Sequence, residues 1–202
     1  IVMSFGKYSK RFDFSDNGWC EGDSNCRILK SPNFDPRPKN TPIDLLVLHS
    51  ISLPEGVFGG NEIENLFLNQ LDTSKNIFKP LLNLKVSSHF FIRRTGSLVQ
   101  FVSMQDRAWH AGESSFLGRV RCNDFSIGIE LEGTDFVKFN DAQYDTLENL
   151  ILSIKNFLPG VSFITSHSFI APGRKTDPGP YFDWNRVREA IETAKKNIFL
   201  FP

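Results

Sequence analysis

Residues 126–133 read SIGIELEG, a stretch in which apolar residues alternate strictly with others. Alternation has the period of a β-strand, so Ile127, Ile129 and Leu131 share one face while Gly128, Glu130 and Glu132 share the opposite face. The strand is apolar enough to be central, which makes Glu130 a candidate for chemistry. Glu132 is its rival, but it stands nearer Gly133 and the strand end, where a solvated surface role is expected.

Working outward from this strand, LLVLH (Leu45–His49) is a short apolar run between TPID and SISLPEG and reads as a buried strand. GGNEIENLFLNQL predicts a short helix after Gly60 with Ile63, Leu66 and Phe67 on one stripe. KVSSHFFIRRTGSLVQFV reads as two strands joined by a turn at Thr95 and Gly96. Downstream, NDAQYDTLENLILSIKNFLPG is the clearest helix: Leu147, Leu150, Ile151, Ile154 and Phe157 recur at helical spacing, Asn140 or Asp141 can cap the start, and Pro159-Gly160 ends it. VSFITSHSFI predicts a further strand, and FDWNRVREAIETAKKNI a second helix capped near Asp183. Strands separated by helices, with one hairpin, predict an α/β fold: a single domain with a mixed central β-sheet flanked by helices. Residues 1–40 are polar and rich in turn formers (SDNGW, EGDSN, SPNFDPRPKNTP), so residues 1–30 are expected to form an N-terminal arm and residues 31–202 the domain.

Composition narrows the function classes. A chain of 202 residues that is 40% apolar, with 20 phenylalanines, is long enough for a real core. Its 23 acidic and 23 basic side chains cancel, leaving no field to attract nucleic acid or an anionic membrane. No stretch has the length of a secretory h-region or a membrane span, so a soluble cytoplasmic protein is expected, with no obligate protein partner evident. Cys20, Cys26 and Cys122 form no C-x-x-C pair and suggest neither a disulfide framework nor a thiolate zinc site.

Two of the four histidines, His49 and His167, fall at or near the C-terminal ends of predicted strands, where open sheets place their sites. Asp177 lies in TDPGP, a turn context that can return a carboxylate over the sheet edge. Two imidazoles and a carboxylate make a three-ligand metal site with a position left open. Ligand type alone fits zinc and non-haem iron equally. Lys175 helps to choose. In an extended HSFIAPGRKTDPGP segment, residues two apart point the same way, so Lys175 would project beside Asp177. A cation there makes sense where negative charge develops during reaction, as on the oxygen of a tetrahedral intermediate.

Four stretches, LLVLHSISLPEGVFGG, VSSHFFIRRTGSLVQFV, RAWHAGESSFLGRVRCNDFSIGIELEGTD and ITSHSFIAPGRKTDPGPYFDW, together resemble the zinc-dependent N-acetylmuramoyl-L-alanine amidases of the AmpD type. Those are cytosolic enzymes acting on 1,6-anhydro-muropeptides in bacterial cell-wall recycling, and the likeness runs from Ser31 to Ile191. The broader group includes phage lysozyme-type amidases and animal peptidoglycan recognition proteins. The resemblance implies one zinc ion per chain on His49, His167 and Asp177, with Glu130 the catalytic glutamate and Lys175 the lysine that stabilises the transition state. It implies a muropeptide substrate, with Arg121 as a partner for a stem-peptide carboxylate and Trp109 with His110 as a wall for the sugar. Ser50 stands where the family often has Asn, and Lys85 where close relatives carry Arg, which removes a bidentate fork. His89, alternating with apolar neighbours, is expected to be structural. The alternative is a non-catalytic muropeptide-binding module; such modules typically lose a metal ligand, whereas all three ligand positions are present here.

Overall fold

Ser126–Glu132 is buried along its whole length, as a strand with neighbours on both sides must be. The computed structural model describes residues 12–22 and 25–202 and places this strand in a seven-stranded sheet. Numbered in chain order, the sheet strands are β1 (Cys26–Ile28), β2 (Leu45–Ile51), β3 (Phe90–Ile92), β4 (Leu98–Gln100), β5 (Ser126–Glu132), β6 (Phe163–Ser166) and β7 (Phe199–Phe201). Their order across the sheet is β7-β6-β2-β5-β3-β4-β1. The strands from β7 to β3 run parallel, β4 is antiparallel to β3, and β1 is parallel to β4, so the sheet is mixed.

Parallel neighbours need crossovers, and helices follow β2, β5 and β6. They are α1 (Glu62–Phe67), α2 (Asp141–Phe157), α3 (His167–Ile170) and α4 (Trp184–Thr193). Asn140 caps α2, its amide donating to Gln143 Oε1 at 3.0 Å. Asp183 caps α4 by accepting from the Asn185 amide at 3.0 Å. The β3–β4 hairpin turns at Thr95 and Gly96 as expected; Gly96 has φ +82°, and a Cβ there would lie 2.5 Å from Ala142 O of α2.

The two faces of β5 are covered differently. Ile127, Ile129 and Leu131 join Leu46 and Leu48 of β2 against Leu147, Leu150, Ile151 and Ile154 of α2 and Val187 and Ile191 of α4. Each fully buried aliphatic side chain of this kind contributes about 1.5–3 kcal/mol, so this layer dominates the core. On the opposite face, α1 packs Ile63, Leu66 and Phe67 onto Phe91 and Val99, and Ile170 of α3 packs onto Leu45 and Val47. Between these two apolar patches the sheet presents Gly128, Glu130 and His49.

One expectation is revised. The last predicted helix stops at Thr193, and Phe199–Phe201 instead forms β7 on β6; three residues carry no period of their own, and the pairing is set by the neighbouring strand. The N-terminal arm lies outside the described residues for 1–11, 23 and 24. Its described part is built into the domain: Asp13–Phe14 pairs with Cys20–Glu21, Phe12 is buried with its amide on Ser153 Oγ at 3.0 Å, and β1 lies at one edge of the sheet. Among the described residues no helix is long and apolar enough to cross a membrane.

Candidate metal centre

The parallel register of β2 and β5 sets His49 beside Glu130. Ser166, the last residue of β6, pairs with Leu48, so His167, first in α3, arrives one step further on beside His49. Ser166 Oγ accepts from the Phe169 amide at 3.0 Å, which starts the helix where the strand ends. The chain then loops back, and Ser168 N donates to Asp177 O at 3.0 Å, fastening the aspartate to α3.

Three donor atoms converge as a result. His49 Nδ1 is 2.9 Å from His167 Nδ1 and 3.1 Å from Asp177 Oδ2, and His167 Nδ1 is 3.0 Å from the same oxygen. A tetrahedral zinc with bonds near 2.0–2.1 Å separates its donors by roughly 3.3 Å, so the triangle fits that ion with a shift of a few tenths of an ångström. Both imidazoles are buried. Burial lowers the His49 pKa to about 4, with the neighbouring His167 acting in the same direction. Burial alone would raise the Asp177 carboxyl, but the imidazoles of His167 and His49 beside it hold it well below the usual range. A neutral imidazole and an ionised carboxylate are the forms that ligate a cation.

Glu130 is buried and its Oε2 has no hydrogen-bond partner among the described residues. Burial raises its pKa well above the ordinary value, Asp177 adds to the rise, and Lys175 opposes it. Lys175 therefore acts electrostatically on Glu130, although not from the extended segment expected: its amide closes a turn on Ala171 O at 3.0 Å, and the residue is exposed. Lys175, Asp177 and Ser50 line a hollow of about 330 Å³ together with Arg174, Thr134 and Asp135.

Glu132 is not the solvated residue that its place near the strand end suggested. It is buried, and its carboxylate accepts from Gly59 N at 2.5 Å and Arg94 N at 2.9 Å. It anchors two loops. His110 has partners at both ring nitrogens: His49 Nε2 is 2.9 Å from its Nδ1, and Ser126 Oγ is 3.1 Å from its Nε2. His89 is structural, its Nδ1 accepting from Gly128 N at 3.0 Å and its Nε2 lying 3.0 Å from Asp106 O.

The remaining candidates lie in other surroundings. Arg121 adopts a left-handed backbone (φ 59°), pairs with Asp124 at 3.1 Å and lines a second hollow of about 570 Å³, which shares Arg174 with the first. Lys85 lines a third hollow with Leu66, Leu71, Leu82 and Leu84, which contains none of the three donors. Trp109 is half-buried, with its Nε1 enclosed and without a hydrogen-bond partner among the described residues. Four supporting residues escaped the sequence reading: Asn123, Ala111, Gly128 and Arg174. Only Gly128 left a signal there, since a glycine inside a strand marks a close approach.

Comparison with known proteins agrees with this geometry. Residues 39–180 match the family described as N-acetylmuramoyl-L-alanine amidase. A relative in Citrobacter freundii, 1,6-anhydro-N-acetylmuramyl-L-alanine amidase AmpD, is 48% identical over 178 residues, covering 87% of this chain and 94% of its own. The crystal structure of a selenomethionine derivative of AmpD superposes with a TM-score of 0.83 at 47% identity, over 88% of this chain and 99% of that one. The amidase AmiD from E. coli, in complex with the substrate anhydro-N-acetylmuramic acid-L-Ala-D-gamma-Glu-L-Lys, gives a TM-score of 0.53 at 26% identity, over 88% of this chain and 65% of that one.

Proposed function

The chain belongs to the N-acetylmuramoyl-L-alanine amidase family, and from that premise we propose how its site works and on what. It hydrolyses the amide bond between N-acetylmuramic acid and the L-alanine of a stem peptide. The muramic acid is the 1,6-anhydro form in small muropeptides, the substrate for which relatives nearly half identical to it are named. In this reading the chain acts in the recycling of cell-wall fragments in the cytoplasm.

His49 Nδ1, His167 Nδ1 and Asp177 Oδ2 hold one zinc ion per chain in this reading; the set leaves a fourth position free, as hydrolytic zinc sites do. Bound there, zinc supplies Lewis acidity toward the lactyl carbonyl and lowers the pKa of water. The chain's own groups then move the protons. Glu130, lifted by burial into the range of a stronger base, takes a proton from the attacking water as the C–O bond forms. It passes that proton to the alanine nitrogen as the C–N bond breaks. Lys175 sets its ammonium near the oxygen on which negative charge accumulates. Ser50 offers a hydroxyl at the rim of the same hollow. Arg121 exchanges Asp124 for a stem-peptide carboxylate, Lys85 supplies a second cation, and Trp109 a flat face for the sugar.

The observation that carries this is the convergence of three donor atoms beside a buried glutamate whose Oε2 meets no hydrogen-bond partner among the described residues. Purified protein loaded with zinc and given anhydro-muropeptide should release free peptide and free anhydro sugar, followed by mass spectrometry. Tight binding with no peptide release would overturn the assignment in favour of a muropeptide-binding module.

A further inference from the structure

The hydrogen bonds around His110 have only one consistent set of directions, and they can be worked out from a carbonyl. Ser126 Oγ lies 2.6 Å from Cys122 O. A carbonyl cannot donate, so the single hydroxyl proton of Ser126 goes to it. Ser126 Oγ must then accept from His110 Nε2 at 3.1 Å. That puts the proton of this half-buried imidazole on Nε2 and leaves its Nδ1 bare. His110 Nδ1 can therefore only accept, and the group facing it at 2.9 Å is His49 Nε2. His49 is left with its proton on Nε2 and its lone pair on Nδ1, the atom that faces His167 and Asp177.

We propose that His110 is a positioning residue for the metal centre, fixing His49 in the tautomer and ring orientation that present Nδ1 to the ion. The proposal rests on His49, His167 and Asp177 being the ligands. The next residue does the same for the other imidazole: Ala111 O lies 3.1 Å from His167 Nε2, so that nitrogen is the protonated one. One dipeptide thus orients both histidine ligands, in the manner of outer groups that set ligand tautomers in metal sites. The dipeptide is itself held. Asn123 Oδ1 accepts from both amides, His110 N at 3.2 Å and Ala111 N at 2.8 Å. Below the ring the sheet makes room: a Cβ on Gly128 would lie 2.5 Å from His110 Cγ. The glycine in SIGIELEG is the seat of this imidazole, and an alanine there displaces the relay without altering any of its polar groups.

The test measures zinc affinity of the full chain by chelator competition, alongside long-range ¹H–¹⁵N spectra of the imidazoles in metal-free protein. Wild type should bind one zinc, and its His49 and His167 should both appear as Nε2–H tautomers. His110→Leu and Gly128→Ala should bind zinc about 10–100-fold more weakly, with His49 losing its fixed tautomer while His167 keeps its own. His110→Asn, whose side-chain oxygen can stand where Nδ1 stood, should recover part of the affinity. His49 carrying its proton on Nδ1 in wild type, or zinc affinity unchanged in both His110→Leu and Gly128→Ala, overturns the proposal. Failure of wild type to bind zinc at all would instead overturn the ligand assignment beneath it. The wild-type spectrum requires no variant to fold.

Discussion

Changing each of the two strand glutamates to glutamine should produce opposite failures. Glu132 holds two backbone amides with one buried carboxylate, from Gly59 at 2.5 Å and Arg94 at 2.9 Å. In Glu132→Gln the new carboxamide oxygen can satisfy one of them, while its NH₂ confronts the other donor. Losing one charge-assisted bond and leaving a buried donor unpaired costs roughly 2–5 kcal/mol. At about 2–4 °C per kcal/mol for a chain of this size, the melting temperature should fall by on the order of 10 °C, with turnover of the remaining folded protein nearly intact. Glu130 is the reverse case: its buried oxygen has no partner to lose and burial disfavours its charge. Glu130→Gln should melt at or above the wild-type temperature, keep its zinc, and lose about 100–10,000-fold in turnover, the range for a general base. Calorimetry of the zinc-loaded proteins and turnover well below the melting range measure both halves. A Glu132→Gln protein that melts with wild type, or a Glu130→Gln protein that turns over normally, would refute the division of roles.

Asp177→Ala should lower zinc affinity and activity together, whereas Lys175→Ala should keep zinc and a near-normal KM while kcat drops about 100–1,000-fold, as for other oxyanion donors; a raised KM with full kcat would make the lysine a substrate clamp. Stripping the metal with a chelator should destabilise the fold, and zinc restored at about 100 times its Kd should return roughly 2.7 kcal/mol, read as a shift in the urea midpoint that is absent in Asp177→Ala. Acid should destabilise the protein through His89, whose pKa burial lowers to about 3, with Arg37 adding to the effect. The unfolded imidazole takes its proton near pH ~6.5 and the folded one only near that lower value, so stability is full above that unfolded pKa and falls as pH drops between the two. His89→Gln should remove about one proton from the uptake on unfolding in this window, and an unchanged uptake would exclude His89 as the source.

What the sequence disclosed followed the reach of local rules. Alternation marked β5 and put Glu130 on the right face, because strand period is a property of consecutive residues. His49, His167 and Asp177 were legible as strand-end and turn positions carrying ligand chemistry. Glu132 was misread because its partners, Gly59 and Arg94, come from segments 73 and 38 residues away that fold over the end of the strand. The contact of His110 with His49 was not legible for the same reason, since it spans 61 residues. Lys175 was read as projecting beside Asp177 from an extended segment; the backbone instead closes a turn on Ala171.

The strands that flank the sheet come from opposite extremes of the sequence: residues 26–28 form one outer strand and residues 199–201 the other. Each shields a ladder of hydrogen-bonding groups, on β4 and on β6, that would otherwise be open to another chain. Trimming either segment should therefore promote self-association before it affects catalysis.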